Sequence, residues 1–166
     1  MGGTRRDDPR RMTIIVSKGA LDEAYPPFIL ATMGAAMGVE VTMFFTFYGL
    51  SLLRRRLDTG VSAIGNSAFR FSFAGRHARV ANMLSALPGF EGELGDHMKR
   101  MFRRTRVADL EELRALTIEA GARVIACQMT MDLFGWAESD MIDGVSLGGA
   151  ATYMEDALHS RVNLFV

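Results

Sequence analysis

Paired thiols are what this chain most conspicuously lacks. Its 166 residues hold one cysteine, Cys127. That excludes an intramolecular disulfide and a two-cysteine redox pair. It suits a reducing compartment, so the cytoplasm is the expected location. Histidine is almost as scarce. His77, His97 and His159 lie far apart and show no ligand spacing, so neither a metal site nor a cofactor is expected. An excess of charge of one sign is missing as well. Lys plus Arg and Asp plus Glu each number 19, for a formal net charge of zero. That argues against nucleic-acid binding driven by overall charge. The first nine residues, Met-Gly-Gly-Thr-Arg-Arg-Asp-Asp-Pro, contain no apolar run, so no secretory signal is expected.

Methionine and phenylalanine are plentiful instead, with 12 and 11 residues. The plain reading is an adaptable, Met-rich core or subunit interface. The 49% hydrophobic content exceeds what one small domain is expected to bury, which predicts a soluble protein that is not a monomer. The length fits one domain. The expected layout is a polar disordered tail over residues 1–11, then a single domain over 12–166 with an irregular insertion near 57–100.

Taken in order, the domain alternates strand and helix. Met12 to Ser17 is short, apolar and β-branched, as buried parallel strands are. Asp22 is a plausible N-cap for a helix that carries Pro26 and Pro27 early and stops at Gly38. Val39 to Phe45 reads as the second strand, and Ser51 to Arg56 as a possible helix start. Leu57 to Phe73 has no clean period. Arg70, Arg76, His77 and Arg79 form a mildly basic, solvated patch. Met83 to Gly89 ends in a turn signal, and His97 to Arg106 is a basic helix. The next helix opens at Thr105 or Asp109, faces inward through Leu110, Leu113, Leu116 and Thr117, and ends at Gly121. Ala122 to Cys127 is a buried strand, and Met129, Leu133 and Trp136 mark a helical face after it. Ile142 to Leu147 is extended, Ala150 to Leu158 helical, and Arg161 to Val166 the last strand. This alternation implies an α/β three-layer sandwich with about five mostly parallel strands, flavodoxin-like in general shape.

One stretch imitates a membrane span. Phe28 to Leu50 carries a single charge, Glu40, and is long enough to cross a bilayer. A central charge costs at least ~2.5 kcal/mol there, and Gly38 divides the stretch. Membrane association is therefore the lesser expectation.

Cys127 is the chemical focus. It sits where a strand ends and a helix begins, the edge at which open α/β sheets bind ligands. Free backbone N–H groups and the helix dipole favour a thiolate there, so a partly exposed, reactive thiol is expected. The competing reading is a small core residue, the usual fate of a free cysteine. The loops expected to share its edge are Ser17-Lys18-Gly19, Phe47-Tyr48-Gly49, Cys127-Gln128 and Gly148-Gly149. Lys18, Gly19, Tyr48, Gln128, Gly148 and Gly149 are thus the candidate supporting residues. Lys18 would add positive charge. Gly148-Gly149 fits neither the dinucleotide fingerprint nor the GxxxxGK[ST] form. A phosphatase loop needs Arg six positions after the cysteine, where Leu133 stands. A peroxiredoxin loop needs Pro and Thr before it, where Gly121 to Ala126 stand. Single-thiol chemistry remains: accept a sulfur as a persulfide, then pass it to a partner thiol. The alternative of a different class is a non-catalytic scaffold or binding subunit built on the apolar surface.

The blocks SKGALDEAYPPFILATMGAAMGVEVTMFFTFYGL, ACQMTMDLFG and DGVSLGGAATYMEDA occur in that order, and with them the chain resembles the DsrE/DsrF-like family. The likeness is to its branch labelled peroxiredoxin-like or sulfur-relay. It covers roughly residues 12–53 and 105–166. It implies that Cys127 matches the family's sulfur-carrying cysteine. It also implies a homo-oligomer, trimer or hexamer. The partner thiol is expected on a small sulfur-carrier protein.

Overall fold

Met12-Thr13-Ile14-Ile15-Val16 is nearly all β-branched and has both faces covered, the condition for a central parallel strand. In the computed structural model, which describes residues 10–60, 62, 70–73, 76–79, 100, 104 and 108–166, it forms β1 (Arg11–Val16). The strand thus starts one residue inside the expected tail, because Arg11 is anchored to Glu40 of the next strand by a 2.8 Å ion pair. The rest of the tail lies outside the described residues. So do the Met83–Gly89 turn, all of the His97–Arg106 segment except Arg100 and Arg104, and the side chains of Arg70, Arg76, His77 and Arg79.

After β1 come α1 (Leu21–Ala36), β2 (Glu40–Phe45) and a 3₁₀ helix, Phe47–Leu53. An antiparallel pair follows, β3 (Arg70–Phe73) with β4 (Arg76–Arg79). The domain continues through α2 (Leu110–Glu119), β5 (Arg123–Cys127), α3 (Gln128–Phe134), β6 (Val145–Gly148), α4 (Ala150–Leu158) and β7 (Val162–Phe165). The main sheet has the order β6-β5-β2-β1-β7, and every neighbouring pair is parallel. This is the expected five-stranded α/β sandwich. The steps β1 to β2 and β2 to β5 run one way across the sheet, and the step from β6 to β7 runs back. Right-handed crossovers therefore place α1 and α2 on one face and α4 on the other.

The side chains follow that division. Ile14, Val16, Met43, Phe45, Val124 and Ala126 pack with α1 and α2. Phe44, Ile125 and Cys127, one residue out of step, pack with Tyr153 of α4.

Several expectations need correcting. Ala20, not Asp22, caps α1; the Asp22 carboxylate instead accepts the Ser62 N–H at 2.8 Å. The helix expected over 51–56 is the earlier 3₁₀ helix. The stretch 57–73 is not wholly irregular, since Arg70-Phe71-Ser72-Phe73, with its polar-apolar alternation, is a strand. On α2 the buried residues are Leu110, Leu113, Arg114 and Thr117, while Leu116 faces out. That set is the i, i+3, i+4, i+7 face of a 3.6-residue helix, and Leu116 stands off it. The stretch Phe28–Leu50 is divided among helix, turn, strand and 3₁₀ helix. Among the described residues, no helix is long and apolar enough to cross a membrane.

Candidate functional site

Because the main sheet is parallel, all its strands end at one edge. Ala126 pairs with Phe45 of β2 and Cys127 with Gly148 of β6. Thr46, the residue after β2, therefore comes beside Cys127. Cys127 is the last residue of β5 and the N-cap of α3, with extended backbone. The strand-to-helix corner expected from sequence is thus present, but the expected exposure is not. The residue is only 4% exposed, and its side chain joins Phe44, Ile125 and Tyr153. The period-two alternation explains this: Cys127 shares the inward side of Ile125, beneath α4. The apolar positions of α3 differ from expectation too. Met129 and Leu133 are exposed, whereas Thr130 and Met131 are buried.

Thr130 is turned in by specific partners. Its Oγ1 accepts the Phe47 N–H at 3.2 Å and lies 3.1 Å from Thr46 Oγ1. Phe47 reaches this position with φ of 46°, a left-handed conformation that is strained for a bulky side chain. Burial raises the Cys127 pKa. The Thr130 hydroxyl and N–H, the Thr46 hydroxyl and the Met129 N–H act the other way, and together they bring it below the usual thiol value. Composition and spacing drew attention to the cysteine but not to Thr46, which reaches it only through strand pairing.

The supporting residues fall into two groups. Gly148 sits directly opposite Cys127, and Gly149 caps α4 just beyond it. Gln128 adjoins the cysteine, but its side-chain amide donates to Asp132 Oδ1 at 2.8 Å, which holds that carboxylate along the helix. Lys18, Gly19 and Tyr48 instead line an open cavity of about 640 Å³ with Glu23, Phe134 and Trp136. Lys18 Nζ lies 3.4 Å from Glu23 Oε1, so its charge is already engaged. It does not figure among the groups that act on the thiol. The role of Gly19 is steric. A side chain there would collide with the Tyr48 carbonyl oxygen and Ser51 Oγ, so glycine lets the loop after β1 pass against the 3₁₀ helix.

Residues 8–165 match the profile of the DsrE/DsrF/DrsH-like family. The chain is 43% identical over 159 residues to "Sulfur carrier protein DsrE2" of Allochromatium vinosum, covering 96% of this chain and 99% of that one. It is 30% identical over 161 residues to "Uncharacterized protein YrkE" of Bacillus subtilis, again covering 96% and 99%. Among solved structures, the ychN protein from E. coli superimposes with a TM-score of 0.54 at 12% identity, over 94% of this chain and 99% of that one. That last likeness concerns the fold alone.

Proposed function

The chain belongs to the DsrE/DsrF/DrsH-like family, and from that premise we propose that it is a sulfur-relay protein whose carrier atom is Cys127 Sγ. In the loading step, the Cys127 thiolate attacks the outer sulfur of a donor persulfide. The Sγ–S bond forms as the donor's S–S bond breaks, and the donor leaves as its thiolate with the electron pair. In the second step an acceptor thiolate attacks the outer sulfur of Cys127, and Cys127 departs as thiolate. Neither step needs an oxidant, and one cysteine suffices because donor and acceptor supply the other sulfurs.

The observation that carries this reading is the set of donors around the sulfur, which favours the charged nucleophile despite burial. The 43% likeness to a protein named a sulfur carrier supports it. A small sulfur-carrier protein is the acceptor in this reading, a homo-oligomer is the working form, and the reducing cytoplasm suits a lone working thiol. One observation favours the second reading, a non-catalytic scaffold: the 4% exposure of Cys127.

Intact mass after incubation with thiosulfate, polysulfide or a persulfide decides between the two. A gain of about 32 Da, one sulfur, is expected for the native chain and none for Cys127→Ser. No gain with any donor, or a gain that survives Cys127→Ser, leaves the scaffold.

A further inference from the structure

The cavity of about 640 Å³ beside Tyr48 takes no part in the sulfur transfer proposed for Cys127. The two stand at opposite ends of α3, whose seven residues span about 10 Å. Its volume falls within the roughly 300–1,000 Å³ of small-molecule sites, which are mostly apolar with a few placed polar groups. Three rings supply the apolar wall. Tyr48 and Phe134 stack with centroids 6.4 Å apart, and Phe134 meets Trp136 at 5.0 Å with the planes tilted by 54°. Tyr48 is 73% exposed, so most of its ring is left for a ligand to cover.

Arg54 supplies the polar group. Its guanidinium carbon stands 4.9 Å from the centroid of the Trp136 ring. Arg11, Arg55 and Arg123 spend their guanidiniums on Glu40, Asp143 and Asp156, and Arg114 spends its own on two carbonyls. The Arg54 guanidinium has no carboxylate or carbonyl partner among the described residues. Its nitrogens are not sealed from the surface, although the residue is partly buried. The backbone beneath it is fixed. Its N–H donates to Ser51 O at 3.3 Å, its carbonyl accepts from Arg114, and it bridges Met141. A guanidinium stacked on a ring keeps its N–H fork in one plane, the arrangement that takes a carboxylate through two hydrogen bonds.

The balance of charge sets the sign of the ligand. Lys18 and Glu23 line the cavity 3.4 Å apart and offset each other, so Arg54 adds a positive charge that nothing among the described residues balances. Aromatic walls can also hold a cation, but Trp136 already carries one. We propose that this cavity binds a small organic acid, with an aromatic or apolar body laid against Tyr48, Phe134 and Trp136 and its carboxylate on Arg54.

Trp136 is the chain's only tryptophan, so its fluorescence reports on this cavity alone. The full chain is titrated with three probes of one shape: phenylacetate, 2-phenylethanol and phenethylammonium. Phenylacetate should change the Trp136 signal at concentrations about tenfold lower than the alcohol, as hydrogen bonds to a charged group imply. Arg54→Met, which keeps the stem and removes the fork, should bring the acid down to the level of the alcohol. Tyr48→Ala should weaken both alike. Thermal melting checks that each variant folds; if Arg54→Met does not, the acid-to-alcohol ratio of the native chain stands as the test. An alcohol or ammonium probe that binds as well as the acid overturns the proposal. So does an acid preference that survives Arg54→Met, or a signal that no probe moves. Binding of a capped peptide pairing phenylalanine with glutamate, without binding of phenylacetate, overturns the small-molecule assignment in favour of a protein segment. None of these outcomes depends on whether Cys127 takes up sulfur.

Discussion

At the scale of single residues, Cys127 combines two features that usually exclude each other: near-complete burial and a lowered pKa. Desolvation alone makes a thiol harder to ionise, so the hydroxyls and N–H groups at the corner must outweigh it. Two measurements follow. The alkylation rate of the native protein should reach half its maximum below the ~8.5 of a free thiol; a midpoint at or above it contradicts the lowered value. Stability should carry the same signature. A group whose folded pKa lies below its unfolded one contributes stability that is fully present above the unfolded pKa. That stability is lost as pH falls through the folded pKa. Native protein compared with Cys127→Ser in urea should thus gain relative stability as pH rises to about 8.5, then level off. A difference that is flat with pH contradicts it.

At the scale of elements, local pattern made much of the fold legible and pairing made the rest. The β-branched run at Met12–Val16, the stop at Gly38 and the strand ending at Cys127 each follow from composition and spacing, and they are where the sequence puts them. The carboxyl edge was legible too, because parallel strands all end on one side. What could not be read was which loops along that edge meet. Lys18, Gly19 and Tyr48 gather around the aromatic cavity, while Thr46 and Gly148 flank the thiol, and that division depends on strand order rather than on any local signal. Arg114 was missed for a similar reason. An arginine on an amphipathic helix reads as surface, yet this one is buried. Burial holds its pKa below the usual guanidinium value, although Glu111 pulls the other way. Its Nη1 donates to the carbonyls of Leu52 and Arg54 at 2.9 and 2.8 Å, which ties α2 to the end of the 3₁₀ helix. Arg114→Met should cost about 2–3 kcal/mol, because it leaves two carbonyls without their donor. Gly19→Ala should cost about 1–3 kcal/mol through the collision with the Tyr48 carbonyl. Chemical denaturation checks both, and a loss under about 0.5 kcal/mol in either would remove that contact from the account.

At the scale of the whole molecule, the two faces of the sheet are unequally covered. α1 and α2 lie over one face. Among the described residues the other carries only α4, nine residues long, and the two edge strands, β6 and β7, are barely buried. Leu158 is 77% exposed and Phe165 72%, with Met154, Val162 and Leu147 also open to solvent. The opposite side has its own apolar surface, made by Ile29, Leu30, Met33 and Met37 of the α1 region with Leu116 of α2. Scattered apolar residues are ordinary on a protein surface, but contiguous ones rimmed by polar groups mark association. The homo-oligomer proposed above would bury them, and among the described residues the α4–β7 side is where the sheet most lacks a second layer. Light scattering in detergent-free buffer should therefore give a mass above the 18.3 kDa of one chain. Replacing Phe165 and Leu158 together by Glu should move the protein toward the monomer while leaving its helix content unchanged, because neither side chain belongs to the monomer's own core. A native protein that scatters as a single 18.3 kDa species at all concentrations would end the oligomer argument. A doubly substituted protein that keeps its full mass would move the interface to the α1–α2 side.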